Sequence, residues 1–314
     1  MKKFIVKLTL FFVLFVCGSC LLDYCISSGL KRTEDYRFQT WNDIIESKIN
    51  ADVLIMGNSR AFSHFSPRII DSTLHVNSYN IGMGGQPFNV QYMRYQIYEK
   101  HNRMPRLIIQ NIDFVTFFHA KMGHEREQVF PFVSDKFLRN ELSNYGFTKP
   151  EIYLPLYRYF GYQMVVKNGL LEYFKIKHYN SQPSYKGYRP EQGSWDGTEL
   201  DKITKIEPAM DSSTIHLFDE FLSYCNKNHI QVVLVNTPVY YKATQKIINA
   251  DKFNSLITGF QKKNKILYLD YTKDPMCFDT AFFHIAEHLN RNGAELFSAK
   301  FSNDLKKLSI LKSN

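Results

Sequence analysis

Val53-Leu54-Ile55-Met56-Gly57-Asn58-Ser59-Arg60 is the stretch on which the fold class turns. Four apolar residues that stop at a glycine read as a short strand buried on both faces and running into a loop, the form strands take in parallel sheets. Ser66-Pro67 follows, with Ser at the N-cap and Pro at the first helical position, and opens a helix to about Leu74. The same strand, loop and helix then recur. A strand over 76–81 leads into Gly82-Met83-Gly84-Gly85, then a helix over 87–100 and a strand Leu107–Asn111. Further on come a helix over 212–226, a strand over 230–235, a helix over 243–262 and a strand over 266–269. Phe297, Phe301, Leu305 and Leu308 recur on one face of a closing helix. Five strands alternating with helices predict a three-layer α/β/α fold with a parallel five-stranded sheet.

The alternation is lost between about 114 and 211, which reads as an inserted cap of short helices and loops. Nine of the twenty tyrosines lie between Tyr145 and Tyr188, with Trp195 just beyond. Such rings serve either as packing for an irregular subdomain or as stacking faces for sugar rings. Composition fits a folded globular chain, with 44% apolar, 22% charged and 15% aromatic residues. The net charge of +9 comes from scattered basic residues that form no nucleic-acid motif, so no nucleic-acid partner is expected. Of five cysteines, Cys17, Cys20 and Cys25 crowd the N-terminus, leaving Cys225 and Cys277 as a pair available to an oxidising compartment.

The N-terminus points to a membrane. Lys2, Lys3 and Lys7 precede an uncharged run from Leu8 to Leu22, which Phe4, Ile5 and Val6 extend to a spanning length if Lys7 snorkels. The positive-inside bias keeps the N-terminus cytoplasmic and exports the body, so one single-pass anchor in a bacterial-type cell membrane with a periplasmic body is expected. A signal peptide cut near Gly18-Ser19 and a lipoprotein modified at Cys20 use the same residues. Against the lipoprotein, Cys17 stands where an aliphatic residue is usual, and Leu21-Leu22 prolong the apolar run. The chain then divides into an anchor (1–30), a stalk (31–50) and a catalytic domain (51–312) carrying the insertion.

Ligands of open α/β sheets sit beyond the carboxyl ends of the strands. The loop Gly57-Asn58-Ser59-Arg60 presents a serine there, with backbone N–H groups placed to meet an oxyanion, although a loop serine also serves as a plain helix cap. Gly82–Gly85 offers a second backbone donor or a tight turn. Before the last helix, Glu287-His288-Leu289-Asn290 offers a histidine as general base. His284-Ile285-Ala286-Glu287-His288 also matches the His-x-x-Glu-His pattern of inverted zincins. Only 26 residues follow His288 and Gly293 disfavours a long helix there, so no metal and no cofactor is expected. The Asn236-Thr237-Pro238 loop reads as a turn.

Taken together, Val53–Arg60, Asn80-Ile81-Gly82-Met83-Gly84-Gly85-Gln86 and His288-Leu289-Asn290 with Gly293-Ala294 resemble the first, second and last blocks of the SGNH/GDSL hydrolase superfamily. The resemblance implies a flavodoxin-like sheet, Ser59 as nucleophile, His288 as base, and the Ser59 and Gly85 amides as oxyanion donors. Its asparagine donor would fall on Asn111, although the family's Gly-x-Asn-Asp is not present. Its acid would lie three residues before the histidine, where this chain has Ile285; Glu287 and Asp279 are the candidates in its place. The subgroup with one N-terminal anchor, which includes proteins working beside membrane-bound O-acyltransferases on cell-surface polymers, is similar in layout. The expected activity is therefore that of an esterase or O-acyl (acetyl) transferase on an acylated surface glycan. The rival expectation is a non-catalytic protein of the same fold that binds a glycan or such an acyltransferase.

Overall fold

The computed structural model describes residues 1–176, 184–198, 200, 205, 207, 208 and 210–310. Parts of the expected insertion, Tyr179 among them, and the last residues of the expected catalytic domain lie outside the described residues. In chain order the helices and strands are α1 (Lys2–Leu30), α2 (Tyr36–Ile45), β1 (Val53–Met56), α3 (Ser59–His64), α4 (Pro67–Leu74), β2 (Ser78–Asn80), α5 (Phe88–His101), β3 (Leu107–Asn111), α6 (Lys136–Leu142), α7 (Lys149–Tyr153) and α8 (Gln163–Tyr173). There follow α9 (Ser212–Lys227), β4 (Gln231–Asn236), α10 (Tyr241–Thr244), α11 (Ala250–Asn264), β5 (Leu267–Asp270), β6 (Phe283–Ile285), β7 (His288–Leu289) and α12 (Arg291–Lys307). They fall into two compact units, one of residues 1–46 with 121–183 and one of 47–120 with 184–314.

The second unit is an α/β domain around a parallel sheet of order β2-β1-β3-β4-β5. Val53 pairs with both Ser78 and Leu107, and Leu107 with Gln231. β1 and β3 are buried along their whole length, as strands covered on both faces must be. Alternation sends Val53, Ile55, Leu107, Ile109, Val233 and Val235 to one face, where they pack with Phe65, Phe297, Phe301 and Leu305. A separate aromatic cluster joins Phe88 of α5, Phe218 and Phe221 of α9, and Phe260 of α11. α12 buries Phe297, Phe301 and Leu305 as its spacing predicts, but Leu308 lies past the helix end and is 49% exposed. The helix expected over 243–262 is two, because Asn249 takes a left-handed backbone conformation between α10 and α11. Cys225 and Cys277 are separate free thiols, both buried. The Cys277 Sγ donates to the Tyr271 carbonyl, and burial pushes the two thiols up to about 12 and about 11 respectively.

In the first unit, α1 is one continuous helix, long and apolar enough to cross a membrane. Its last turns are buried, and Gly29 meets α8 so closely that a Cβ there would lie 1.7 Å from the Gly169 carbonyl oxygen. The 31–50 segment, read as a stalk, carries α2, whose Phe38, Trp41 and Ile44 are buried. The Trp41 Nε1 donates to Gln128 Oε1 at 3.0 Å. Phe130 packs edge-on against Phe147, Tyr159 and Tyr162, so two of the tyrosines expected in the insertion are packing residues. The apolar face of α2 needs a partner, and within this unit Trp41 finds one in Gln128.

Candidate active site

The sheet order reverses direction between β1 and β3, and the loop after β1 emerges there, where open α/β sheets carry their ligands. Gly57 turns the chain at φ 145°, and a Cβ on it would stand 2.8 Å from the Cβ atoms of Ala61 and Asn111, so only glycine fits. Asn58 caps the six-residue α3, its Oδ1 accepting from the Arg60 N–H at 3.1 Å. Ser59 therefore opens a short helix of its own, ahead of α4, which starts at Ser66-Pro67 as read from the sequence. Ser66 occupies the N-cap of α4 without a capping side-chain bond.

His284 and His288 sit on opposite strands of the antiparallel hairpin β6–β7, not one helical turn apart as the zinc pattern requires. The hairpin brings His288 Nε2 to 2.8 Å from Ser59 Oγ. For the hydroxyl to donate, the imidazole must carry its proton on Nδ1. Burial first, then the nearby charges of Arg60 and His284, pull His288 down to about 4, so the ring is neutral and able to accept at pH 7.

Neither candidate acid pairs with that ring. Asp279 accepts from the Ala281 N–H at 2.9 Å and caps a short turn. Glu287 faces a cavity of about 250 Å³ together with Arg60 and Asp113, and burial raises its pKa. Ile285, at the family's acid position, is an exposed strand residue. Among the described residues no carboxylate lies in ion-pair range of His288. Ser59 and Gly85 are brought to the same end of the sheet, and among the described residues no protein acceptor takes the backbone N–H of either. Asn111 is 1% exposed, and its Nδ2 points to Asn58 Oδ1 at 3.4 Å.

Several residues that support this arrangement gave no signal in the sequence. The Arg60 guanidinium is buried, donates from Nε to Thr237 Oγ1 at 3.1 Å and from Nη2 to the Thr237 carbonyl, and lies 3.6 Å from Asp113. Asp113 in turn accepts from Asn58 Nδ2 at 2.5 Å. His64, the last residue of α3, accepts the Leu289 N–H at Nε2 (3.0 Å) and so donates from Nδ1 to Thr237 Oγ1 at 2.9 Å. Its ring stands edge-on to His288, with centroids 6.1 Å apart. Burial holds His64 well below the ordinary histidine value, so it stays neutral in this role. Thr237, read as part of a plain turn, is thus the common partner of Arg60 and His64. On the Gly85 side, Gln110 donates to Gln91, Gln91 donates to the Gln86 carbonyl, and Arg94 donates to the carbonyls of Ile81 and Gly82. Asn80 Oδ1 accepts the Gly82 N–H at 3.0 Å. The loop with the second amide is therefore held by side chains at both ends.

No family model matches the chain, and no curated protein matches it. Among solved structures it is similar to a candidate acylhydrolase from Bacteroides fragilis NCTC 9343, at 15% identity and a TM-score of 0.38, covering 87% of this chain and 96% of that one. It is also similar to a candidate platelet activating factor protein from Streptococcus pneumonia, at 9% identity and a TM-score of 0.40, covering 89% and 93%.

Proposed function

We propose that the chain is a membrane-anchored, extracytoplasmic, serine-dependent esterase or O-acyltransferase of SGNH type, acting on an acylated cell-surface glycan. The observation that carries this reading is the 2.8 Å approach of Ser59 Oγ to a neutral His288 beside two backbone amides that have no protein acceptor among the described residues. Ser59 Oγ attacks the ester carbonyl carbon as its proton passes to His288 Nε2. The Ser59 and Gly85 amides receive the oxyanion, each such donor contributing about 3 kcal/mol in acyl transfer. The carbon–oxygen bond to the leaving group then breaks, and the imidazolium returns the proton to that alkoxide. Water or an acceptor hydroxyl, deprotonated by the same ring, next releases the acyl group from Ser59. No cofactor enters these steps. Export by α1, with Lys2, Lys3 and Lys7 on the cytoplasmic side, supports a periplasmic polymer as substrate and a membrane-bound O-acyltransferase as a neighbour in the reaction sequence.

One observation favours a second reading. With no carboxylate among the described residues to stabilise the imidazolium, and with burial and Arg60 opposing it, the pair is a weak base, which suits a non-catalytic protein that binds a glycan or an acyltransferase. A fluorophosphonate probe separates the two. Labelling of the full chain that disappears in Ser59→Ala and in His288→Ala is the expected result. A folded chain that takes no label, or a Ser59→Ala variant that still turns over an acyl ester, would reverse the assignment.

A further inference from the structure

The first unit exposes an apolar ring at the level where α1 leaves its spanning stretch. Residues 4–22 cover about 28 Å at 1.5 Å per residue, close to the hydrocarbon thickness of a bilayer. Asp23 is the first charge after them, and it fastens the loop beyond α7 by accepting the Leu156 N–H at 2.7 Å and pairing with Arg158. That loop, with the end of α7, exposes Tyr153, Leu154, Tyr157 and Phe160, the last by 89%. On α8, Tyr173 meets Tyr24 edge-on at 6.3 Å and has Arg32 over its ring at 5.5 Å, so the neighbouring Phe174, 62% exposed, stands by Tyr24 and Arg32, just beyond Asp23. Lys167 joins Phe160 and Phe174 along one apolar groove.

We propose that this ring is a membrane-seating surface, with Tyr153, Leu154, Tyr157, Phe160 and Phe174 entering the headgroup region of the leaflet around α1 and Lys167 meeting lipid phosphate. A lipid occupant is favoured because the ring is continuous with a helix that itself enters the bilayer. Its residue types, tyrosine and phenylalanine with a lysine at the edge, are those that partition to the interface. The docking rests on the reading of α1 as an anchor, and the experiment separates the two. The full chain is reconstituted in phosphatidylethanolamine–phosphatidylglycerol vesicles carrying bromine at shallow or deep acyl positions. Phe12→Trp, Phe160→Trp and Phe174→Trp are each compared with the parent, which supplies the background of Trp41 and Trp195. The expected result is loss of the added emission with deep bromine for Phe12→Trp, and with shallow bromine for Phe160→Trp and Phe174→Trp. Quenching of Phe12→Trp alone would overturn the seating and leave the anchor. Quenching of none would overturn both. Tryptophans at 160 and 174 that stay open to aqueous iodide in vesicles but are shielded in native membranes would assign the ring to a protein partner instead, and overturn the lipid assignment.

Discussion

The neutrality of His288 at low pH is the sharpest test of the proposed chemistry. Burial and Arg60 take the ring from 6.5 to about 4, which at about 1.4 kcal/mol per pH unit penalises the imidazolium by about 3 kcal/mol in the folded chain. Two consequences follow with definite sign. As a base, His288 stays available well below neutrality, so the initial rate of fluorophosphonate labelling at Ser59 should hold level from pH 8 to about 5 and halve near pH 4. For stability, the unfolded chain binds this proton at about 6.5 and the folded chain only at about 4. The contribution is therefore present above about pH 6.5 and is lost progressively as pH falls from there towards 4. The assay is labelling of the full chain in detergent micelles across that range, with near-ultraviolet circular dichroism at each pH to separate loss of the base from loss of the fold. Arg60→Met removes the second cause of the shift and should move the midpoint upward. A wild-type midpoint near 6.5, with the fold intact, would refute the account of a buried ring pressed by a buried guanidinium.

Arg60→Met should also cost about 3 kcal/mol in chemical denaturation, because it leaves Asp113 buried with only hydrogen bonds to hold it, and Arg60→Met with Asp113→Asn should recover part of that loss. Gly57→Ala should destabilise by about 2 kcal/mol or more, since its positive φ and two 2.8 Å approaches leave no room for a methyl group; thermal unfolding measures it. Gly169→Val should part α8 from α1, because even a Cβ there lies 2.7 Å from the Ile26 carbonyl oxygen, and limited proteolysis should then cut within Gln163–Tyr173.

β1, β3 and β4 were legible because each is a compact apolar run that ends at or beside a glycine or an asparagine, and β3 falls on Leu107–Asn111 as read. Ser59 and His288 were singled out for a different reason, a resemblance of their flanking blocks to a known family, and the structure brings the two side chains to 2.8 Å. His64 was not legible, because one of ten histidines at the end of a short helix carries no local pattern, and its importance comes from Leu289, far away in the chain. Thr237 looked like turn material since its hydroxyl has value only where Arg60 and His64 converge. The His-x-x-Glu-His pattern was set aside on the shortness of the remaining chain and on Gly293, and the fold adds a separate reason: the spacing suits a helix, but Phe283-His284-Ile285 turns at Ala286-Glu287 into a hairpin. The 31–50 segment reads as a stalk or a leading helix because the buried face of α2 rests on a few residues, Phe38, Trp41 and Ile44, set among charges, and the structure has the helix.

Ser59 begins α3 and His64 ends it, and His64 grips the backbone one residue past His288. A single turn-and-a-half of helix therefore acts as the ruler between two atoms that stand 229 residues apart in sequence. Slow breathing of the sheet, or sliding of the C-terminal helix, carries both ends of the ruler together. The gap between Ser59 Oγ and His288 Nε2 is thus set by a local frame rather than by the rest of the domain, and under the proposed chemistry a carboxylate would be needed to ease the ring's charge more than to hold it in place.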